Sequence, residues 1–75
     1  MTLEFVKSKP HNFWEGRKVI LTSPIQNTDQ SRFIPSGIEI PIIKYVGANY
    51  YGFELKYKKH IMSTSNLNNL TLVEK

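Results

Sequence analysis

The clearest pattern in the chain is an alternation. Across residues 51–58, Tyr51, Phe53, Leu55 and Tyr57 fall on one face, and Gly52, Glu54, Lys56 and Lys58 on the other. A strict period of two over eight residues predicts a half-buried strand. Residues 38–46 precede it and are rich in β-branched side chains, which also reads as strand. There Ile38, Ile40, Ile42 and Val46 share a face that Lys44 interrupts. Pro41 has no N–H to give to a ladder, so this strand is expected to be an edge or to bulge at the proline. An edge would leave it open to a strand from a partner. Gly47, Ala48 and Asn49 lie between the two strands and tolerate the backbone a hairpin turn needs.

Weaker patterns fill in the rest. Residues 17–23 predict an earlier strand, opened by Gly16 and closed by Pro24, with Val19 and Leu21 inward. Residues 24–36 are polar and form the longest loop, its return anchored by Phe33 and Ile34, with a turn at Pro35, Ser36 and Gly37. Residues 60–63 predict a short strand, residues 65–69 one 3₁₀ turn, and residues 70–73 a last strand with Leu70 and Leu72 inward. Residues 3–6, Leu-Glu-Phe-Val, read as an extra strand or an arm. Alanine, the best helix former, occurs only at Ala48, which agrees with a β protein holding at most one helical turn.

This order of elements resembles SH3-like barrels. The segment Gly16-Arg17-Lys18-Val19-Ile20-Leu21 looks like their first strand. Ile34-Pro35-Ser36-Gly37-Ile38 looks like the entry to their second, and Asn69-Leu70-Thr71-Leu72-Val73 like their closing strand. The resemblance covers residues 16–73. It implies an all-β, partly open barrel of about five short strands over residues 16–75, preceded by an N-terminal arm or extra strand over residues 1–15. It further implies a module that binds nucleic acid or protein.

Size and charge narrow the function. At 75 residues the chain is one small domain with a thin core, and 40% hydrophobic residues suffice to fold it. A thin core invites self-association. The absence of cysteine excludes disulfides and thiolate metal sites. Apolar runs are too short to span a membrane or to form a signal-peptide core, so a cytoplasmic protein is expected. The net charge of +4 favours anionic partners. Ile and Lys occur eight times each and Asn six, against the single alanine, a bias of AT-rich genes such as those of low-GC bacteria, their phages and plasmids.

Catalytic chemistry finds little support. His11 and His60 are far apart and form no metal-binding spacing. Asp29 is the sole aspartate, the five glutamates are scattered on polar positions, and the four glycines stand singly. One enzyme family of similar size, the plasmid-borne type II dihydrofolate reductases, carries a Gln-Ile-Tyr signature where this chain has His60-Ile61-Met62. Only the isoleucine matches. The chain is therefore expected to bind rather than catalyse, with no catalytic residues, cofactor, metal or small-molecule substrate.

Two kinds of partner are open. Lys44, Lys56, Lys58 and Lys59, with Tyr45 and Tyr50 nearby, form a basic and aromatic set suited to nucleic acid, where lysines neutralise phosphates and rings stack on bases. Phe13 and Trp14 of the arm, with Tyr45, Tyr50 and Lys44 of the hairpin, would instead carry the contact with a protein partner, as aromatic hot spots do. An inhibitor encoded by a phage or mobile element that blocks a host protein is the corresponding alternative.

Overall fold

The computed structural model describes residues 1–28, 31–47 and 51–74. The fold is small and all-β, with short helical segments. Strands β1 (Lys18–Leu21), β4 (Glu39–Val46), β5 (Gly52–Tyr57), β6 (His60–Thr64) and β7 (Leu70–Leu72) form one antiparallel sheet in the order β6-β5-β4-β1-β7. Its two edge strands are not paired to each other, so the sheet is not closed into a barrel. The long loop carries its own two-stranded hairpin, β2 (Ile25–Gln26) with β3 (Phe33–Ile34). Ile34 is fully buried, but Phe33 is 41% exposed, so Ile34 alone anchors the return. The turn that follows needs Gly37, whose φ is 81°, and Gly37 N–H donates to the Leu21 carbonyl at 3.1 Å.

The apolar phase of residues 51–57 is realised as expected, although Gly52 on the opposite phase is also buried and Glu54 is half-buried. Phe53 and Leu55 have no exposed surface, Tyr51 and Tyr57 are half-buried, and Lys56 is exposed. Strand β4 departs from its predicted phase. It is not an edge, because it lies between β5 and β1. It pairs with β1 through Pro41 and with β5 from Ile42 onward, so Pro41 sits where the strand changes partner. Ile42 N–H points to β1, donating to the Arg17 carbonyl at 2.9 Å. Successive N–H groups alternate sides, so the donor missing at Pro41 faces the β5 side, beyond the last β4–β5 pair at Ile42 and Leu55.

The bulge lies at Ile43, not at Pro41. Ile42 opposes Leu55 while Lys44 already opposes Glu54, so one extra residue enters β4. The extra residue shifts the pleat and re-aims every side chain after it. Tyr45 turns inward, Lys44 and Ile43 turn outward, and Val46 is only half-buried. Without the bulge, Lys44 would enter the core. Ile38, expected inward, precedes the strand and is exposed.

The N-terminal region is neither a strand nor a loose arm. Leu3–Lys7 is a short helix, α1, and His11–Trp14 is a 3₁₀ helix, η1. With a second 3₁₀ helix, η2 (Leu67–Asn69), this exceeds the single helical turn expected. The cause is local. Thr2 Oγ1 accepts the Phe5 N–H at 3.1 Å, an N-cap, with Glu4 in the first turn and Lys7 in the last, both favourable to the helix dipole. Pro10 then ends the helical path, because the residue before proline avoids α geometry. The two segments deliver Val6 and Trp14 to the core with no exposed surface. Trp14 meets Phe53 edge-on at 4.9 Å between centroids, and Tyr45 at 5.8 Å. The Met1 ammonium donates to the carbonyls of Leu67 (2.7 Å) and Leu70 (2.6 Å), tying the first residue to η2 and β7.

Strands β5 and β6 are joined by Lys58 and Lys59, and Lys58 has φ 56°. A side chain there costs about 1–2 kcal/mol that glycine avoids. Part of that gain is offset by glycine's greater freedom when unfolded. Lys58→Gly is therefore expected to raise stability by up to about 1 kcal/mol, read as a higher urea midpoint at unchanged slope. A lower midpoint would contradict this account of the turn.

Candidate nucleic-acid interface

The residues expected to form a binding surface are dispersed by the fold. Tyr45 is in the core. Burial pushes its phenol above the usual tyrosine range, and the neighbouring Tyr51 adds to the shift. It therefore offers no face for a base. Trp14 is likewise enclosed by Phe5, Phe13, Tyr45 and Phe53, so it anchors the protein's own core and no partner. Tyr50, and Ala48 and Asn49 of the expected turn, lie outside the described residues. Lys44 and Lys56 are exposed, opposite Glu54 and Ile61 respectively. Lys58 and Lys59 occupy the exposed β5–β6 turn, and Lys58 Nζ lies 5.3 Å from the Tyr57 centroid.

A second basic surface forms at the other end of β5, and sequence reasoning missed it. Lys9 Nζ lies 5.2 Å from the Phe5 centroid and 5.0 Å from that of Phe13. The Arg17 guanidinium carbon lies 4.2 Å from the same Phe13 centroid, and Arg17 Nε donates to the Phe13 carbonyl at 3.2 Å. Lys7 Nζ lies 5.7 Å from the Tyr51 centroid. Local geometry sets Lys9 and Arg17 on Phe13, and Lys7 on Tyr51 at the other flank of α1. Helix α1 turns Phe5 and Lys7 outward while Val6 goes inward. Pro10, extended at φ −67° and ψ 160°, separates α1 from η1, and Lys9 before it lies over both phenylalanines. Gly16, with φ 77°, turns the chain from η1 into β1 and sets Arg17 beside Phe13.

Each cation–ring contact is worth about 0.5–1 kcal/mol at an exposed site, enough to restrict a flexible side chain. The sole ion pair among the described residues is Lys18 with Glu39 at 3.7 Å. Lys7, Lys9 and Arg17 thus have no carboxylate partner among the described residues, and their remaining donors are available to an anion. The Lys58–Lys59 turn lies roughly 20 Å away along β5, at about 3.3 Å per strand residue. The fold therefore separates two basic surfaces that one extended polyanion would have to span.

Among the described residues, no three His, Asp or Glu side chains converge as metal ligands, and no helix is long and apolar enough to cross a membrane. Comparison with family models, with curated proteins and with solved structures finds no match for this chain.

Proposed function

We propose that this protein is a non-enzymatic module that binds the phosphate backbone of nucleic acid. The observation that carries this reading is the set of three cations, Lys7, Lys9 and Arg17, held on aromatic rings without carboxylate partners. Lys56, Lys58 and Lys59 form the secondary contact. Arg17 is the one member able to make a bidentate phosphate contact. The SH3-like resemblance belongs with this proposal. It is supported by a three-strand meander, β4-β5-β6, with the last strand lying on the far side of β1. The protein-partner reading loses three of its supports, since Trp14 and Tyr45 are buried and Pro41 is not on an edge strand.

Fluorescence anisotropy with a labelled oligonucleotide at increasing salt tests the proposal. Three phosphates neutralised on a single strand give a log K against log salt slope of about −2, and on duplex DNA about −2.7. Binding that is absent at low salt, or that does not change with salt, overturns it.

A further inference from the structure

An open groove of about 470 Å³ adjoins the cationic surface, with Tyr51 common to both. That volume is within the usual range for small-ligand sites. Leu3, Tyr51 and Leu67 provide apolar wall, and Ser65, Asn66 and Asn68 provide polar rim. The asparagines of this turn differ in employment. Asn69 is fully used by the fold, its Oδ1 accepting Ser23 N–H at 2.7 Å and its Nδ2 donating to the Ser23 carbonyl at 3.0 Å. The side-chain amides of Asn66 and Asn68 have no hydrogen-bond partner among the described residues, although both line the groove. The Met1 ammonium bonds to the Leu67 and Leu70 carbonyls and fixes the turn that carries them.

We infer that this groove receives a nucleobase whose attached phosphate meets Lys7. The inference rests on the phosphate-binding proposal and adds to it a site for the base. A base is planar and apolar on its faces, and its edge carries adjacent donors and acceptors. The groove has matching parts. Tyr51 and the two leucines contact a face, while a carboxamide offers the paired donor and acceptor that a base edge accepts. Lys7 Nζ lies 5.7 Å from the centroid of Tyr51, so the ring that lines the groove also carries a cation able to pair with a phosphate. The shared ligand chemistry is a phosphorylated nucleoside, either within a strand or as a free nucleotide.

The test uses the double variant Asn66→Ala/Asn68→Ala, which removes only exposed amides and leaves Asn69 in place. Three probes are titrated: a ten-nucleotide single strand, a strand of equal length made of abasic sites, and adenosine monophosphate. The wild-type protein is expected to bind the base-bearing strand about tenfold more tightly than the abasic one, the size of one stacked and hydrogen-bonded base. The double variant should lose that advantage while keeping its affinity for the abasic strand and its melting temperature. Adenosine monophosphate bound as tightly as the strand, and weakened in the variant, identifies the free nucleotide as the source. Equal wild-type affinity for the base-bearing and abasic strands overturns the groove assignment alone. A double variant that keeps wild-type affinity for every probe does the same. Failure to bind the abasic strand at low salt instead overturns the phosphate-binding proposal. If adenosine monophosphate binding is then also absent, the groove assignment falls with it.

Discussion

Replacing Trp14 with alanine is expected to leave the protein largely unfolded at room temperature. The indole has no exposed surface and touches Phe5, Phe13, Tyr45 and Phe53, so it joins the N-terminal helices to strands β4 and β5. Truncating a buried tryptophan costs about 3–5 kcal/mol. A core of this size supplies a net stability of only about 3–5 kcal/mol, so the loss consumes nearly all of it. Trp14→Phe should behave differently. It keeps a ring in the aromatic cluster and removes the indole N–H, which is buried with no hydrogen-bond partner. An unpaired buried donor costs about 1–3 kcal/mol, so its removal offsets part of the lost volume. Urea unfolding followed by far-UV circular dichroism checks both variants. A Trp14→Ala protein melting with the wild type would refute the account of the core.

Removing the three ring-held cations together should nearly abolish nucleic-acid binding. In Lys7→Gln/Lys9→Gln/Arg17→Gln the charges are lost while a shorter polar side chain with its first two methylenes remains at each position. Affinity for a single strand at low salt is expected to fall on the order of 100-fold, with the salt slope moving from about −2 toward zero. Lys58→Gln/Lys59→Gln should cost less, because those residues serve the secondary contact. A larger loss from the second variant than from the first would transfer the interface to the β5–β6 turn. The melting temperature of each variant separates lost binding from lost structure.

Much of the sheet was legible because its signals are local. Tyr51, Phe53, Leu55 and Tyr57 alternate without interruption, Val19 and Leu21 do so briefly, and the polar run before Leu70 does hold a 3₁₀ helix. Strand β4 was misphased because period-two counting assumes an unbroken pleat. The informative signs were a lysine in the apolar phase, at Lys44, beside a large ring out of phase, at Tyr45. Residues 3–6 were misread because so short an apolar segment, Leu3-Glu4-Phe5-Val6, fits one helical turn as well as a strand. Thr2 before them and Pro10 after them were the signals that decide. The cationic groupings were not legible, since Lys7 reaches Tyr51 only once the N-terminal helices pack on the sheet, and Lys9 and Arg17 come from opposite sides of η1 to Phe13. Nor did composition separate Asn66 and Asn68 from Asn69. That distinction requires knowing that Ser23 lies beside the last of them.

The position of β7 beside β1 has a consequence for the order of folding. Leu70 pairs with Leu21 and Leu72 with Val19, so the two strands close a loop of roughly half a hundred residues. The β4-β5-β6 meander closes over short spans and is expected to form first, because brief loops lose less entropy on closure. As a nascent chain emerges, β1 can register against β4 well before residues 70–72 leave the ribosome. Until they do, one flank of β1 is an unpaired edge and the carbonyls that hold the Met1 ammonium are absent. Chains arrested after β6 are therefore expected to be the aggregation-prone species, because they present an open strand edge beside an incomplete core.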